Sequence, residues 1–582
     1  MSTSTKPSPH RRLALRSQQG FTLILTLLML LITSVLLVAA FTAANGEVHL
    51  TATDTAQKKA YYAAEAGLED YEYHLTQDGN YLTYCTTPTP ENPALNQYFQ
   101  AGTENPLTTS ELKEHTAEVP GSSGEEKYAI QLIPAGTAPK TDLKCDKNNI
   151  VGTMIEEKEG PASGTFRIMS TGFSGKQKRT LVATFRNANF VSYVWYSVYE
   201  TGDPVLYGTV PTGEPANYYT ECGKFYTERP AQCKEFNNYF ISGETVNGPM
   251  HTEDHVGICG DPVFGRDKKD RIEFGNGYEK KAGAKGYSSE SGCSEAEAKP
   301  EFVGELVPPE KTLQITPPPG DEELEHVVET SPTDYKYEGQ TEIVLTGETM
   351  TVTEHKNGAA QKTTTGVPLP PNGVIYVSGE KEETCETYSP FGPHPGYTEG
   401  SACGNVYVQG EYSKALTIAA QNDVIINENL YPSSVAGKLG SEPTGNTMLG
   451  LIANNFVRVY HPLTGTRKKG FRECESSEND TTTAPKDIEE PFIYAAILAL
   501  KHSFIVDNFD CGTPLKKLNV YGAIAGEFSN GMTGVFSGTS AISGYPYSLK
   551  YDNRLQAEEP PHFLNPIEAA WYIQRQTLAS EP

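Results

Sequence analysis

The sequence predicts an α+β, mostly β protein. One long N-terminal helix leads into a small antiparallel β head, and a large β-rich region follows, read as a right-handed parallel β-helix (β-solenoid). Three observations carry this. An uncharged 24-residue run near the N-terminus continues without proline into an amphipathic helical pattern. Short alternating strands with Gly turns follow it. Beyond residue 190 very short apolar pieces recur between Gly, Asn and Asp.

The helix comes first. Phe21 to Ala44 reads FTLILTLLMLLITSVLLVAAFTAA and holds no charge. At 1.5 Å per residue such a run crosses a hydrocarbon core of roughly 30 Å. Lys6, Arg11, Arg12 and Arg16 precede it, and Glu47 is the first charge after it. The positive-inside bias places the N-terminus in the cytoplasm and the body outside, a single-pass topology in the cytoplasmic membrane. Past the membrane, Tyr61, Ala64, Leu68, Tyr71 and Leu75 step by three and four along one face. An ordinary signal peptide has a shorter apolar core and no helical continuation; a plain signal anchor satisfies hydropathy equally well.

The junction separates these readings. SQQG-FTLI sets Gly20 directly before Phe21 after a short basic leader, and AYYAAEAGLE occupies residues 60 to 69. Together these resemble PilX-type minor pilins and the class III signal of type IV prepilins, over about the first 80 residues. The resemblance implies cleavage between Gly20 and Phe21 by prepilin peptidase, methylation of Phe21, and retention of the helix for packing against other major and minor pilins. A pilus assembly platform is an implied partner, and the pilus outside the cell the implied destination. Major pilins carry Glu at the fifth mature position; here that position is Leu25. A buried amine without its carboxylate is costly, so this subunit is poorly suited to every site of a homopolymer; the large tip subunit of the related secretion pseudopilins also lacks this Glu, and that resemblance implies a minor, tip-located subunit.

The body follows as a domain series: 1–20 leader, 21–77 helix, 78–190 pilin-like α/β head, and 191–582 solenoid-like domain. Head strands are expected in YAIQLIPAG (128–136), TFRIMSTGFSG (165–175) and KRTLVATFRN (178–187). Solenoid texture runs through 241–265, 373–379, 404–430, 448–460, 493–509 and 518–528, with Asn and Gly suited to the corners. A β-sandwich with long hairpins is the competing fold. A Pro- and acid-rich stretch near 300–330 reads as an insertion or exposed loop. PIEAAWYIQRQ, near 566–578, reads as a terminal helix opened by Pro566.

Composition narrows the function. Net charge is −26, or −30 once the four leader cations are gone. Such a body repels phosphate, which argues against direct nucleic-acid binding. The ten cysteines are Cys85, Cys145, Cys222, Cys233, Cys259, Cys293, Cys385, Cys403, Cys474 and Cys511, with no CxxC among them. In an exported protein they read as disulfides. Pairing neighbours in chain order (85–145, 222–233, 259–293, 385–403, 474–511) is one of many connectivities the sequence allows.

Chemistry is sparse. His251, Glu253 and His255 would share one face of a strand, a His/Glu/His metal candidate weighed against a polar β face, and the polar face is preferred. Asp423, Asp507 and Asp510 invite comparison with β-helix polysaccharide enzymes; solvated turns are the simpler reading. Asn479-Asp480-Thr481 is a lone glycosylation sequon. No cofactor is expected, and the leading reading is non-enzymatic: a filament subunit displaying a Tyr-rich domain, with a surface or glycan as candidate ligand. The alternatives are a membrane-anchored β-helix enzyme acting on polysaccharide and a membrane-tethered self-associating scaffold.

Overall fold

The computed structural model describes residues 19–77, 95–96, 113, 116–133, 165–204, 221–230, 233, 239–280, 298–312, 314–330, 335–356, 361–380, 385, 388, 401–467, 474–482, 487–537, 540–556, 559–567 and 570–579. A single N-terminal helix, α1 (Gln19–Gln77), precedes a body made mostly of strands.

The head sheet is antiparallel: Glu126–Ile133 pairs with Thr165–Ser174, which pairs with Gln177–Ala188. Its next strand comes from the far end of the chain. Ala570–Leu578 pairs antiparallel with Gln177–Ala188, so the helix expected near 566–578 is a strand. Ala, Gln and Arg suit helices, but the open edge of the head sheet offers backbone partners and a pocket for Trp571, which is buried.

The rest of the body is dominated by parallel pairing. One ladder runs in spatial order through Glu305–Val307, Arg271–Phe274, Met250–Thr252, Trp195–Tyr199, Leu518–Phe528, Phe492–Ala499, Leu449–Ala453, Leu416–Ala420, Val374–Ser378 and Lys336–Glu338. A second joins Gln340–Gly347, Val406–Tyr412, Val424–Pro432, Val457–Val459 and Phe504–Val506. Val374–Ser378, Leu416–Ala420 and Leu449–Ala453 are buried at every position. Runs buried on both faces are the signature of covered parallel sheets. Just ahead of three paired strands Asn455 donates to Asn422 at 2.5 Å and Asn422 to Asn405 at 2.6 Å, an asparagine ladder across the second ladder's edge.

The order along the first ladder is not the order of the sequence. The chain enters at Trp195–Tyr199, builds outward to Glu305–Val307, crosses to the opposite end at Lys336–Glu338, and builds back to Leu518–Phe528. There the last long strand pairs with the first. The crossing covers nine inter-strand steps, about 43 Å at 4.8 Å per step, which the 28 residues from 308 to 335 readily reach. This crossing is the Pro- and acid-rich stretch near 300–330, and it is not simply exposed: Ile315, Asp321, Leu324 and Val328 are buried, the last two on helix α2 (Glu322–Glu329).

Candidate functional site

The region with the clearest chemical character is α1, whose two halves face different surroundings. Thr22–Thr42 has mean hydropathy 2.8, and its large apolar side chains stand exposed. Four hydroxyls within this span return to the helix: Thr26 donates to the Leu23 carbonyl at 2.9 Å, Thr33 to Met29 at 2.9 Å, Ser34 to Leu31 at 2.8 Å and Thr42 to Ala39 at 2.9 Å. Side chains that satisfy their polar groups on their own helix suit lipid. Gly20 and Phe21 fall within the helix, and Leu25 is an exposed apolar residue of the span.

The second half docks on the head. Ala60, Ala63, Ala64, Leu68, Tyr71 and Leu75 are buried there. Tyr71 packs against Phe166 and Phe185, which stack on each other at 5.2 Å, and Trp571 closes edge-on over Phe166 at 4.9 Å. The small residues of AYYAAEAGLE have a physical reason. A Cβ on Gly172 would lie 2.0 Å from the Ala60 carbonyl oxygen, and one on Gly67 would lie 2.5 Å from Ser170 Oγ. Helix and sheet touch backbone to backbone. Lys59 fixes the rim with a 2.7 Å contact to Glu126. Tyr62 and Tyr73, eleven residues apart and so on one helix face, stay exposed on the side away from the sheet.

Of the sequence-predicted metal candidates, His251 and Glu253 meet, and His255 is engaged elsewhere. His251 is fully buried, with Nδ1 2.7 Å from Glu273 Oε2 and Nε2 2.9 Å from Glu253 Oε1. Burial alone would lower the imidazole, but the two carboxylates outweigh it and hold it up to about 9. Both ring nitrogens therefore carry protons at neutral pH, and neither offers a lone pair. Glu273 is held below its usual range: burial pushes it up, and His251 and Arg271 pull it down further. Tyr193 donates to Glu273 Oε2 at 3.0 Å, and the Tyr196 ring stacks on the imidazole. His255 instead contacts the Asn276 carbonyl at 2.8 Å and stacks on Tyr226. The carboxylate partner Glu273, 22 residues away, could not be found from local spacing.

The three aspartates divide. Asp423 and Asp507 meet at Arg458, whose Nε lies 3.1 Å from Asp423 and whose Nη1 lies 2.9 Å from Asp507. All three are buried. Tyr388 covers the guanidinium at 3.9 Å and donates its hydroxyl to Asp507. Burial raises the Asp423 carboxyl, with Arg458 opposing. Stacking of Val424, Val457 and Phe504 in register brings the trio together. A cation clamped by both acids leaves neither exposed as an acid or base. Asp510 lies apart, beside the Cys474–Cys511 disulfide.

Cys222 bonds Cys233, Cys385 bonds Cys403 and Cys474 bonds Cys511; Cys259 is also disulfide-bonded. Cys85, Cys145 and Cys293 lie outside the described residues. The sequon Asn479 is engaged in structure: its Nδ2 donates to the Thr513 carbonyl at 3.0 Å, and its Oδ1 accepts from the Thr513 backbone at 3.1 Å.

An apolar span continuous with a docked helix, followed by a β body, defines a membrane-anchored protein with one N-terminal helix. Residues 19–69 match the PilX N-terminal family model, so the likeness to type IV pilins rests on this stretch of α1. Among solved structures the chain is similar to the competence-associated pilin ComZ from Thermus thermophilus. That match has 13% identity and a TM-score of 0.25, and covers 90% of this chain and 98% of that one. A TM-score that low does not establish a shared fold. No curated protein sequence matches the chain.

Proposed function

We propose that this protein is a minor pilin-like subunit of a type IV pilus or related filament. It is inserted as a single-pass prepilin with its leader in the cytoplasm and assembled through α1. The observation that carries this is the placement of the PilX N-terminal match on one uninterrupted helix whose first half is an exposed apolar span and whose second half is docked on a head sheet. In this reading prepilin peptidase cuts between Gly20 and Phe21, and other pilins and the assembly platform are the partners. Leu25 suits a subunit placed once, at the tip, rather than repeated along a shaft. The parallel ladders are read as a solenoid displayed outside the cell, with adhesion as its task and no catalytic role. The division into leader, helix (21–77), head (78–190) and solenoid (191–582) belongs to the same reading, with the strand Ala570–Leu578 added to the head.

N-terminal sequencing of the mature protein is the test. A methylated Phe21 is expected, and Gly20→Ile should leave the leader attached and keep the protein out of filaments. A mature chain beginning at residue 1 or beyond residue 44 would overturn the proposal.

A further inference from the structure

We infer that the crossing segment, residues 314–330, is a strap latched onto the parallel ladder by a protonated Asp321, so that its docking tightens in acid and loosens as the medium is brought to neutrality. This goes beyond the filament reading and does not depend on it.

The strap touches the ladder at separated levels. Near its start, Glu253 Oε1 accepts from the Ile315 backbone at 2.6 Å, and Tyr196 donates to the Ile315 carbonyl. The Ile567 backbone donates to the Thr316 carbonyl at 3.0 Å, tying the strap to the approach of the C-terminal strand. Near its end, Asp321 is fully buried. Its Oδ1 accepts from the Tyr376 hydroxyl at 3.0 Å and from Asn454 Nδ2 at 2.8 Å. Leu324 and Val328 of α2 follow it into the main core.

The surroundings of Asp321 favour the neutral acid. From strand Val374–Ser378 it meets only the Tyr376 hydroxyl, and from the turn after Leu449–Ala453 only the Asn454 amide. From its own helix it faces the like charge of Glu322. The nearby cation Lys336 is held by Glu325 at 2.8 Å and Glu329 at 2.6 Å, not by Asp321. Asp321 Oδ2 and Asn454 Oδ1 are both buried without a hydrogen-bond partner. These two acceptors sit on groups already joined by one bond, and a proton on Oδ2 supplies the donor their site lacks. Burial accordingly raises the carboxyl to about 7, with the Tyr376 hydrogen bond opposing.

The sign follows. The docked carboxyl is raised and the released one titrates at its ordinary 3.8. Docking is therefore strongest below the lower value and is lost progressively up to the higher one, with no further change above it. Between pH ~5 and ~8 the docked-to-released ratio should fall roughly a hundredfold.

The test is hydrogen exchange on the detergent-solubilised full chain across that pH range, corrected for intrinsic exchange rates and read on peptides covering 314–330. Protection there should fall by about two orders of magnitude, while peptides from Leu416–Ala420 should hold theirs. In Asp321→Asn the strap should keep its protection at both ends of the range. Equal strap protection at both pH values in the natural chain would overturn the latch, whatever the variant does. So would an Asp321→Asn chain that retains the full pH dependence.

Discussion

Replacing His251 with Gln should abolish a loss of stability that the natural protein shows on going alkaline. The imidazolium is held to about 9 by Glu253 and Glu273, against the ordinary 6.5 of a histidine. A group whose folded value is raised contributes stability fully present below its unfolded value and lost as pH rises through the folded one. The window is therefore about pH 6.5 to 9, and at 1.36 kcal/mol per unit the loss is on the order of 3 kcal/mol. The chain has two tryptophans, Trp195 and Trp571. Trp195 pairs with Met250, next to His251, while Trp571 sits in the head core. In a Trp571→Phe background, urea unfolding followed by fluorescence thus reports on the ladder alone. Midpoints should fall between pH ~7 and ~10 in that background and stay nearly flat, though lower at neutral pH, once His251→Gln is added. A parallel pH slope in both proteins would refute the buried imidazolium. So would a natural protein most stable at the alkaline end. His251 should contribute nothing to Zn²⁺ binding, because both of its ring nitrogens are engaged by carboxylates.

Other perturbations probe the remaining contacts. Arg458→Met should cost about 3–5 kcal/mol by leaving Asp423 and Asp507 facing each other without their cation. Part of that loss should return at mildly acidic pH as Asp423 takes a proton, and a melting temperature insensitive to the change would count against the clamp. Gly172→Val places a Cβ against the Ala60 carbonyl, so α1 must lift from the head. The expected cost is at or above the usual 1–3 kcal/mol for overpacking, checked by loss of a disulfide engineered between α1 and the sheet. Trp571→Ala should cost roughly 3–5 kcal/mol in the head, and ending the chain at residue 569 should make Gln177–Ala188 protease-sensitive while the ladder near Leu416–Ala420 stays protected. Unchanged cleavage after truncation would mean the C-terminal strand is dispensable.

Much of this protein is written in local pattern. An uncharged run long enough for a bilayer and the proline-free continuation depend only on neighbours along one helix. Sequence periodicity exposes such features because α-helical hydrogen bonds close within four residues. The head strands at 126–133, 165–174 and 177–188 were legible for the same reason, alternation being local. What only the tertiary structure decided involves partners far apart in the chain. The segment after Pro566 has helix-forming residues, yet an unpaired sheet edge nearly four hundred residues earlier made it a strand. His251 resembled a ligand until Glu273 arrived from the next strand, and Asp423 and Asp507 resembled free acids until Arg458 came between them. The ladder's order, with its first strand beside its last long one, depends on a crossing segment whose acidic, proline-rich composition reads as exposed loop. Its buried residues Ile315, Asp321, Leu324 and Val328 acquire meaning only when the surface they cover has already been built.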